Sequence, residues 1–319
     1  MRTLRQHISG MRAGAAACVT TVILVFTVLS SAEISIGSME QWTGKNERLD
    51  LLLFSQPIHY SLGDGAVLST VRVPAGEFDM GSKRAGLRGS GSDEVPLSRV
   101  RITSGFEMSQ FEVTREAFGK VMSRRELGRL SNGPVTGVDF EDCCLFCNRL
   151  SERFGFDKCY SGLGKDLVCD FSASGFRLPT EAEWEYACRA GTTSIYYTGD
   201  EAFGDCEPGD QAYLECAAWF MNNSNGRVHS VGELAPNAFG LFDTHGNVWE
   251  WCWDFYDEHY YASMQAADPR GPDKGTHRVV RGGCYMSHKE ECRSAARGRL
   301  WPGKLDPKVG FRIVRTIGE

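Results

Sequence analysis

Three tryptophans alternate with other residues along one short stretch of the chain, at positions 249, 251 and 253. Alternate side chains of an extended segment point to the same face, so the three rings would lie together on one side. We therefore predict a half-buried strand over residues 248–253, around which the rest of the chain is organised.

Four residues suited to a turn or to a metal site crowd the start of this strand: Asp243, Gly246, Asn247 and Glu250. Carboxylates, amides and backbone carbonyls on a tight turn are the ligands that a hard cation such as calcium prefers. An Asx-type turn leading into a core strand explains the same residues without a metal. Spacing alone leaves both interpretations open.

The N-terminus has the pattern of an export signal. Three arginines within the first twelve residues supply a positive region, residues 13–29 are uncharged and mostly apolar, and Ser-Ser-Ala at 30–32 offers small residues for cleavage. We predict a signal peptide over residues 1–32 and an exported protein, periplasmic or extracellular. An uncleaved membrane anchor at 13–29 is the alternative, since about 17 residues approach the lower limit of a membrane span.

The rest of the chain is predicted to be a linker at 33–59 and one domain at 60–317, with no internal boundary. Hydrophobic residues make up 42% of the 319 residues, which is enough to build a core. The net charge is −6, and no basic run follows the N-terminus. The composition therefore gives no reason to expect nucleic acid as a partner.

Twelve cysteines in an exported protein suggest disulfides. Cys18 lies in the export signal, so an odd number would remain and at least one thiol would stay unpaired. No CxxC pair is matched by a second one, which argues against structural zinc. The sequence also lacks a phosphate-binding loop, a dinucleotide fingerprint, a GxSxG elbow and an HExxH motif.

Three short helices are predicted from their capping residues: Thr114, Asp139 and Thr180. Four apolar side chains of the second helix recur on one face, which we interpret as a core stripe rather than a soft-metal site: Cys143, Cys147, Leu150 and Phe154. Further short strands are predicted at 194–197, 228–231, 278–281 and 311–314. The predicted fold class is α+β, a loop-rich single domain with short twisted β-sheets and a few short helices.

Four motifs resemble those of one known family. They are Arg-Leu-Pro-Thr-Glu-Ala-Glu-Trp-Glu-Tyr-Ala at 177–187, Asn-Ala-Phe-Gly-Leu-Phe-Asp at 237–243 with Gly-Asn-Val-Trp-Glu-Trp at 246–251, Arg-Gly-Gly at 281–283, and Gly-Phe-Arg at 310–312. In this order they are similar to the formylglycine-generating, or sulfatase-modifying-factor, family, over most of the chain. The resemblance implies a fold like that of C-type lectins.

The resemblance also implies a chemistry. In the family's oxidases two cysteines hold copper(I), a soft ion that prefers thiolates, and copper with dioxygen oxidises a sulfatase cysteine to formylglycine. Ser287 stands at the position of the first of these cysteines, and no cysteine occupies the second. Cys284 and Cys292 remain, as a substitute pair or as a disulfide. The candidate catalytic residues are therefore Cys284, Ser287, His288 and Cys292, and copper(I) is expected only if the two thiols form a substitute pair.

Calcium is implied at the turn before the tryptophan strand. The family's ligands match Asp243, Gly246, Val248 and Glu250, with Gly246 and Val248 binding through their backbone carbonyls. Three functions follow as hypotheses: copper-dependent oxidation of a protein or peptide such as an exported sulfatase, another oxidation or accessory role, and a non-catalytic, calcium-stabilised binding module.

Overall fold

The computed structural model describes residues 56–83, 91–123, 130–200 and 212–317. The predicted export signal, nearly all of the predicted linker and Cys206 lie outside these residues. The first strand begins at Ile58, slightly before the predicted start of the domain. No helix within the described ranges combines the length and the apolar character needed to cross a membrane.

Four α-helices lie in the described residues, α1 to α4 in chain order: Arg115–Met122, Phe140–Arg153, Glu181–Arg189 and Ala212–Glu215. The three predicted caps are confirmed, because the side chains of Thr114, Asp139 and Thr180 each accept a hydrogen bond from a backbone N–H of the first turn. Glu183 completes a capping box at the start of α3.

The strands of the described residues are short and are numbered β1 to β15 in chain order: Ile58–Gly63, Ala66–Val73, Gly76–Met80, Ser98–Ile102, Phe106–Ser109, Tyr160–Ser161, Val168–Cys169, Phe176–Arg177, Ala218–Trp219, His245–Gly246, Trp249–Phe255, Arg278–Arg281, Arg297–Leu300, Val309–Gly310 and Val314–Thr316. One five-stranded sheet has the order β1-β2-β5-β15-β8, and a four-stranded sheet has the order β13-β12-β11-β14. The strand predicted at 311–314 forms only from Val314 onward.

The tryptophan strand is confirmed as β11. Trp251 is fully buried, and Trp249 and Trp253 pack partly buried against the same apolar cluster. The ring of Phe140, at the start of α2, meets Trp251 edge-on at 5.8 Å between ring centres. The cysteine stripe of α2 belongs to this cluster too, so its interpretation as core is confirmed.

Two predicted strands, at 194–197 and 228–231, are wrong. Tyr196 makes only an isolated bridge across a tight turn. In the second segment the backbone N–H of His229 donates to the side-chain oxygen of Asn247 instead of a neighbouring strand. Short apolar runs of this kind do not distinguish a strand from an irregular segment.

Candidate functional site

The candidate catalytic residues follow β12, where the chain leaves the four-stranded sheet. Gly282 and Gly283 have φ angles of 96° and 77°, which glycine adopts without strain. A Cβ atom on Gly283 would lie 2.6 Å from Sγ of Cys292. Glycine is therefore required at 283, and it lets the start of the segment 282–297 pack closely against Cys292.

Cys284 and Ser287 face each other across a tight turn. Sγ of Cys284 lies 3.5 Å from Oγ of Ser287, and the backbone N–H of Ser287 donates to the Cys284 carbonyl at 2.8 Å. Both residues are buried. Burial raises the pKa of the Cys284 thiol, while hydrogen bonds from Ser287 and from the Met286 N–H partly oppose the shift. The thiol is therefore neutral near pH 7.

Cys292 ends a short 3₁₀-helix, Lys289–Cys292, and is fully buried. It packs in a small apolar cluster with Tyr196 and Phe220. Burial raises its pKa well above the ordinary value, and the nearby Cys284 adds a smaller increase. Both cysteines are free thiols, so the disulfide considered for this pair is not formed.

His288, the fourth candidate, is exposed at the start of that short helix. Its backbone N–H donates to the Glu291 carboxylate at 3.1 Å. Within the described segment 282–297, no hydrogen bond joins its imidazole to either thiol. The segment thus carries all four candidates, but it pairs only Cys284 with Ser287.

This donor set does not fit a two-thiolate copper(I) site. The group beside the Cys284 sulfur is a hydroxyl, a hard ligand that a soft ion disfavours. The second thiol, on Cys292, lies against Gly283 in an apolar environment that disfavours the thiolate form. Cys284 and Ser287 therefore form a thiol–hydroxyl pair and not a pair of thiols.

Asp243, the first residue of the predicted calcium site, has a left-handed conformation with φ of 56°. Its Oδ2 accepts a hydrogen bond from the backbone N–H of Gly232 at 2.7 Å. Its Oδ1 is buried and has no hydrogen-bond partner among the described residues. Burial raises the pKa of Asp243 to about 6, although the Gly232 bond and the Arg312 charge oppose the shift.

Glu250, the last residue of that site, belongs to a buried ion pair. Its carboxylate oxygens accept hydrogen bonds from Nε and Nη2 of Arg312 at 2.6 and 2.7 Å. The indole N–H of Trp184 donates to the same carboxylate at 2.6 Å. Arg312 also donates to the carbonyls of Ser109 and Phe242. Four hydrogen bonds to three residues therefore fix the guanidinium beside Glu250.

Gly246 and Val248, expected to supply carbonyl ligands, lie between these two acids. Gly246 pairs with Trp219 in the two-stranded parallel sheet of β9 and β10, and a Cβ atom on it would lie 2.2 Å from the Trp219 carbonyl oxygen. No other residue fits there without a shift of the backbone. All four predicted ligands thus lie on one short segment, which runs from just before β10 into β11.

Glu112 is a further buried acid of this region, which sequence reasoning missed. Its two carboxylate oxygens accept from the Val248 backbone N–H at 3.0 Å and from the Asn247 side chain at 2.7 Å. Burial raises the pKa of Glu112 well above its ordinary value, and the charges of Asp243 and Glu250 raise it further. Glu112 precedes Asn247 by 135 residues, so no local pattern connects them.

A calcium ion at this turn would need both Asp243 and Glu250. Asp243 offers one oxygen, but the oxygens of Glu250 are already neutralised by Arg312, whose positive charge would repel a second cation. As arranged, these residues do not fit calcium. Within the ranges described, no three His, Cys, Asp or Glu side chains are placed to hold a metal ion together. A stability measurement tests the calcium binding that the resemblance implies.

Replacing Asp243 with alanine is expected to lower the stability equally in calcium and in chelator, by about 1–3 kcal/mol. The loss arises because the Gly232 N–H is left unpaired and because alanine disfavours a left-handed backbone. Calorimetric melting curves of both proteins, with calcium and with chelator, measure it. Asp243→Asn is the matched control and should lose less, since asparagine keeps an acceptor oxygen and tolerates this conformation. A loss confined to the calcium samples would establish a calcium site instead.

Residues 63–317 match the family model described as a sulfatase-modifying factor enzyme 1-like domain. The chain belongs to this family. The resemblance carried by the four motifs and the predicted fold class are both confirmed.

Two relatives and one solved structure place the domain among known proteins. The formylglycine-generating enzyme of Mus musculus is 30% identical over 294 residues, which cover 77% of this chain and 75% of that enzyme. A Chlamydia pneumoniae protein named serine/threonine-protein kinase pkn1 is 32% identical over 260 residues, 77% of this chain and 38% of that protein. Treponema denticola variable protein 1 superposes with a TM-score of 0.70 at 26% identity, covering 82% of this chain and 99% of that one. The chain therefore spans less than half of the Chlamydia protein but most of the other two.

Proposed function

We propose that this protein is an exported formylglycine-generating-enzyme-like domain that binds a protein or peptide partner and does not carry out the family's copper-dependent oxidation. The observation that carries the proposal is the Cys284–Ser287 pair. A hydroxyl lies 3.5 Å from the Cys284 sulfur, at the position where the oxidases have a copper-binding cysteine. Export rests on residues 1–32.

Proteins that share the domain do not all carry the name of the oxidase. The mouse relative is named a formylglycine-generating enzyme, whereas the Treponema relative is named a variable protein. Shared fold does not fix a reaction, because the chemistry depends on the side chains at the site. The side chains of segment 282–297 are therefore the better guide, and the group in contact with the Cys284 sulfur is the Ser287 hydroxyl.

The surface beside this turn supports binding of a peptide. Met286 is 51% exposed and Met221 is 43% exposed, and the backbone N–H of Met221 donates to the Ser287 carbonyl at 3.0 Å. Two exposed thioethers thus flank the turn. Methionine side chains are flexible and polarisable and adapt to different apolar partners. A partner with apolar side chains would bury both of them.

The test is a peptide assay in two parts. The purified protein is incubated with copper(I), dioxygen and a cysteine-containing sulfatase peptide, and aldehyde is captured and detected by mass spectrometry. We expect no aldehyde, but we expect the labelled peptide to bind in a fluorescence anisotropy titration and Met286→Glu to weaken that binding. Aldehyde formed by the wild-type protein and lost in Cys284→Ala would establish the oxidase. Absence of both aldehyde and binding would contradict the proposed partner.

A further inference from the structure

A small polar cleft lies apart from the segments described above, and none of its lining residues belongs to 232–250 or 282–297. Its volume is about 140 Å³, and its lining includes Thr103, Phe171, Arg177, Asp268, Arg270 and Thr316. Sites for drug-sized ligands typically measure about 300–1,000 Å³. An occupant of this cleft is therefore a small molecule or the end of a longer one.

The inner part of the cleft is electrically neutral. Arg177 is buried and forms a bidentate ion pair with Glu183, with bonds of 2.7 and 2.6 Å. It also donates to Thr316 Oγ1 at 3.2 Å. Its Nε–H remains buried without a partner among the described residues. This part of the cleft thus carries no net charge.

Arg270 supplies an unpaired positive charge at the rim. Its guanidinium carbon lies 4.1 Å from the centre of the Phe171 ring, and that of Arg177 lies 4.9 Å from the same ring. Arg270 is exposed and forms no ion pair with any described carboxylate. Stacking on an aromatic ring fixes the plane of the guanidinium and leaves its N–H edge able to bind a carboxylate through two hydrogen bonds.

Asp268 supplies an unpaired negative charge on the same segment. Its Oδ1 accepts from the backbone N–H of Thr103 at 2.8 Å, and its Oδ2 accepts from the Thr103 hydroxyl. These neutral donors orient the carboxylate without cancelling its charge, and no described cation pairs with it. Asp268 and Arg270 thus line one cleft with opposite charges that do not pair with each other. The two residues are two positions apart in the chain.

We propose that this cleft binds a small zwitterion of the α-amino-acid type, with the carboxylate on Arg270 and the ammonium group on Asp268. A simple anion would be repelled by Asp268, and a simple cation would be repelled by Arg270. A zwitterion satisfies both charges, while the hydroxyls of the same cleft can bind its remaining polar atoms.

Ligand-observed NMR of the purified protein tests this with three probes. L-alanine carries both charges, L-alanine amide lacks the carboxylate, and N-acetyl-L-alanine lacks the ammonium group. We expect L-alanine to bind and each analogue to bind at least about ten-fold more weakly, because charge-assisted hydrogen bonds are roughly twice as strong as neutral ones. Equal binding of N-acetyl-L-alanine would overturn the zwitterion in favour of a simple anion, and absence of L-alanine binding would overturn the site.

Two variants locate the binding. Arg270→Gln and Asp268→Asn should each weaken L-alanine binding about ten-fold or more. Arg270→Gln keeps a polar side chain but removes the charge. Asp268→Asn keeps the shape of the side chain, and asparagine retains an acceptor for Thr103 and tolerates the φ of 44° at position 268. Arg227→Gln, on an exposed loop outside the cleft lining, removes the same charge and should bind as the wild type does. Unchanged melting curves show that each variant folds, and unchanged affinity in Arg270→Gln would contradict the proposal.

Discussion

Replacing Arg312 with methionine is expected to lower the free energy of unfolding by about 3–5 kcal/mol. Arg312 and Glu250 are both fully buried, and two hydrogen bonds join them at 2.6 and 2.7 Å. Methionine fills a similar volume but leaves the Glu250 carboxylate buried and uncompensated. The uncompensated negative charge of Glu250 is more unfavourable because Glu112 and Asp243 are buried acids of the same region. Urea unfolding at neutral pH measures the loss.

An exposed pair provides the control for this measurement. Arg99 pairs with Glu77 and Asp79 at 3.3 and 3.2 Å, and its side chain is 60% exposed. Arg99→Met should cost far less than Arg312→Met, because water and salt screen surface ion pairs. The double variant Glu250→Leu with Arg312→Met should recover part of the loss, since it removes the stranded charge. Equal stability of Arg312→Met and Arg99→Met would show that the buried pair does not support the fold.

Replacing Ser287 with cysteine is expected to create a copper(I) site. Its sulfur would stand close to the Cys284 sulfur, because Oγ of Ser287 now lies 3.5 Å from it, and two thiolates are the ligands that copper(I) prefers. The affinity for copper(I) should rise at least about 100-fold. Loss of a residue that only supports a metal ligand already costs roughly 10–100-fold in metal affinity, and a new ligand should count for more. Titration against a competing chelator under reducing conditions measures the change and prevents a disulfide.

Two variants show whether a new site has formed at this turn. Ser61→Cys, on β1, adds a thiol at an exposed position and should leave copper(I) affinity unchanged. Cys284→Ser combined with Ser287→Cys keeps one thiol at the turn and should bind as weakly as the wild type. Tight binding by that double variant would mean that Cys284 is not a ligand, against the pairing seen in the structure.

Features decided by neighbours in the chain could be predicted from the sequence. The caps of α1, α2 and α3 each depend on a side chain and a backbone N–H a few residues apart, so their sequence pattern contains the whole interaction. The tryptophan strand likewise shows its period of two directly. The family motifs predicted the fold, because four motifs in this order are specific to one family.

Features decided by packing could not be predicted in this way. Glu112 meets Asn247 across 135 residues, and Glu250 meets Arg312 across 62. The contact between Glu250 and Arg312 decides which cation lies beside this carboxylate. The guanidinium of Arg312 occupies the place that the sequence suggested for calcium. The wrong strand at 228–231 has the same origin, because its backbone bonds to the Asn247 side chain. Such pairings depend on which segments the core brings together.

The most direct test of the central claim is a copper(I) titration of the wild-type protein beside Ser287→Cys, in competition with a chromogenic chelator. A neutral, buried thiol next to a hydroxyl should not withdraw copper(I) from the chelator, whereas the cysteine variant should do so stoichiometrically. Stoichiometric, tight binding by the wild type that Cys284→Ala abolishes would contradict the account. Cys284 would then act with another thiol of the chain, and the family's oxidation chemistry would be restored to this protein.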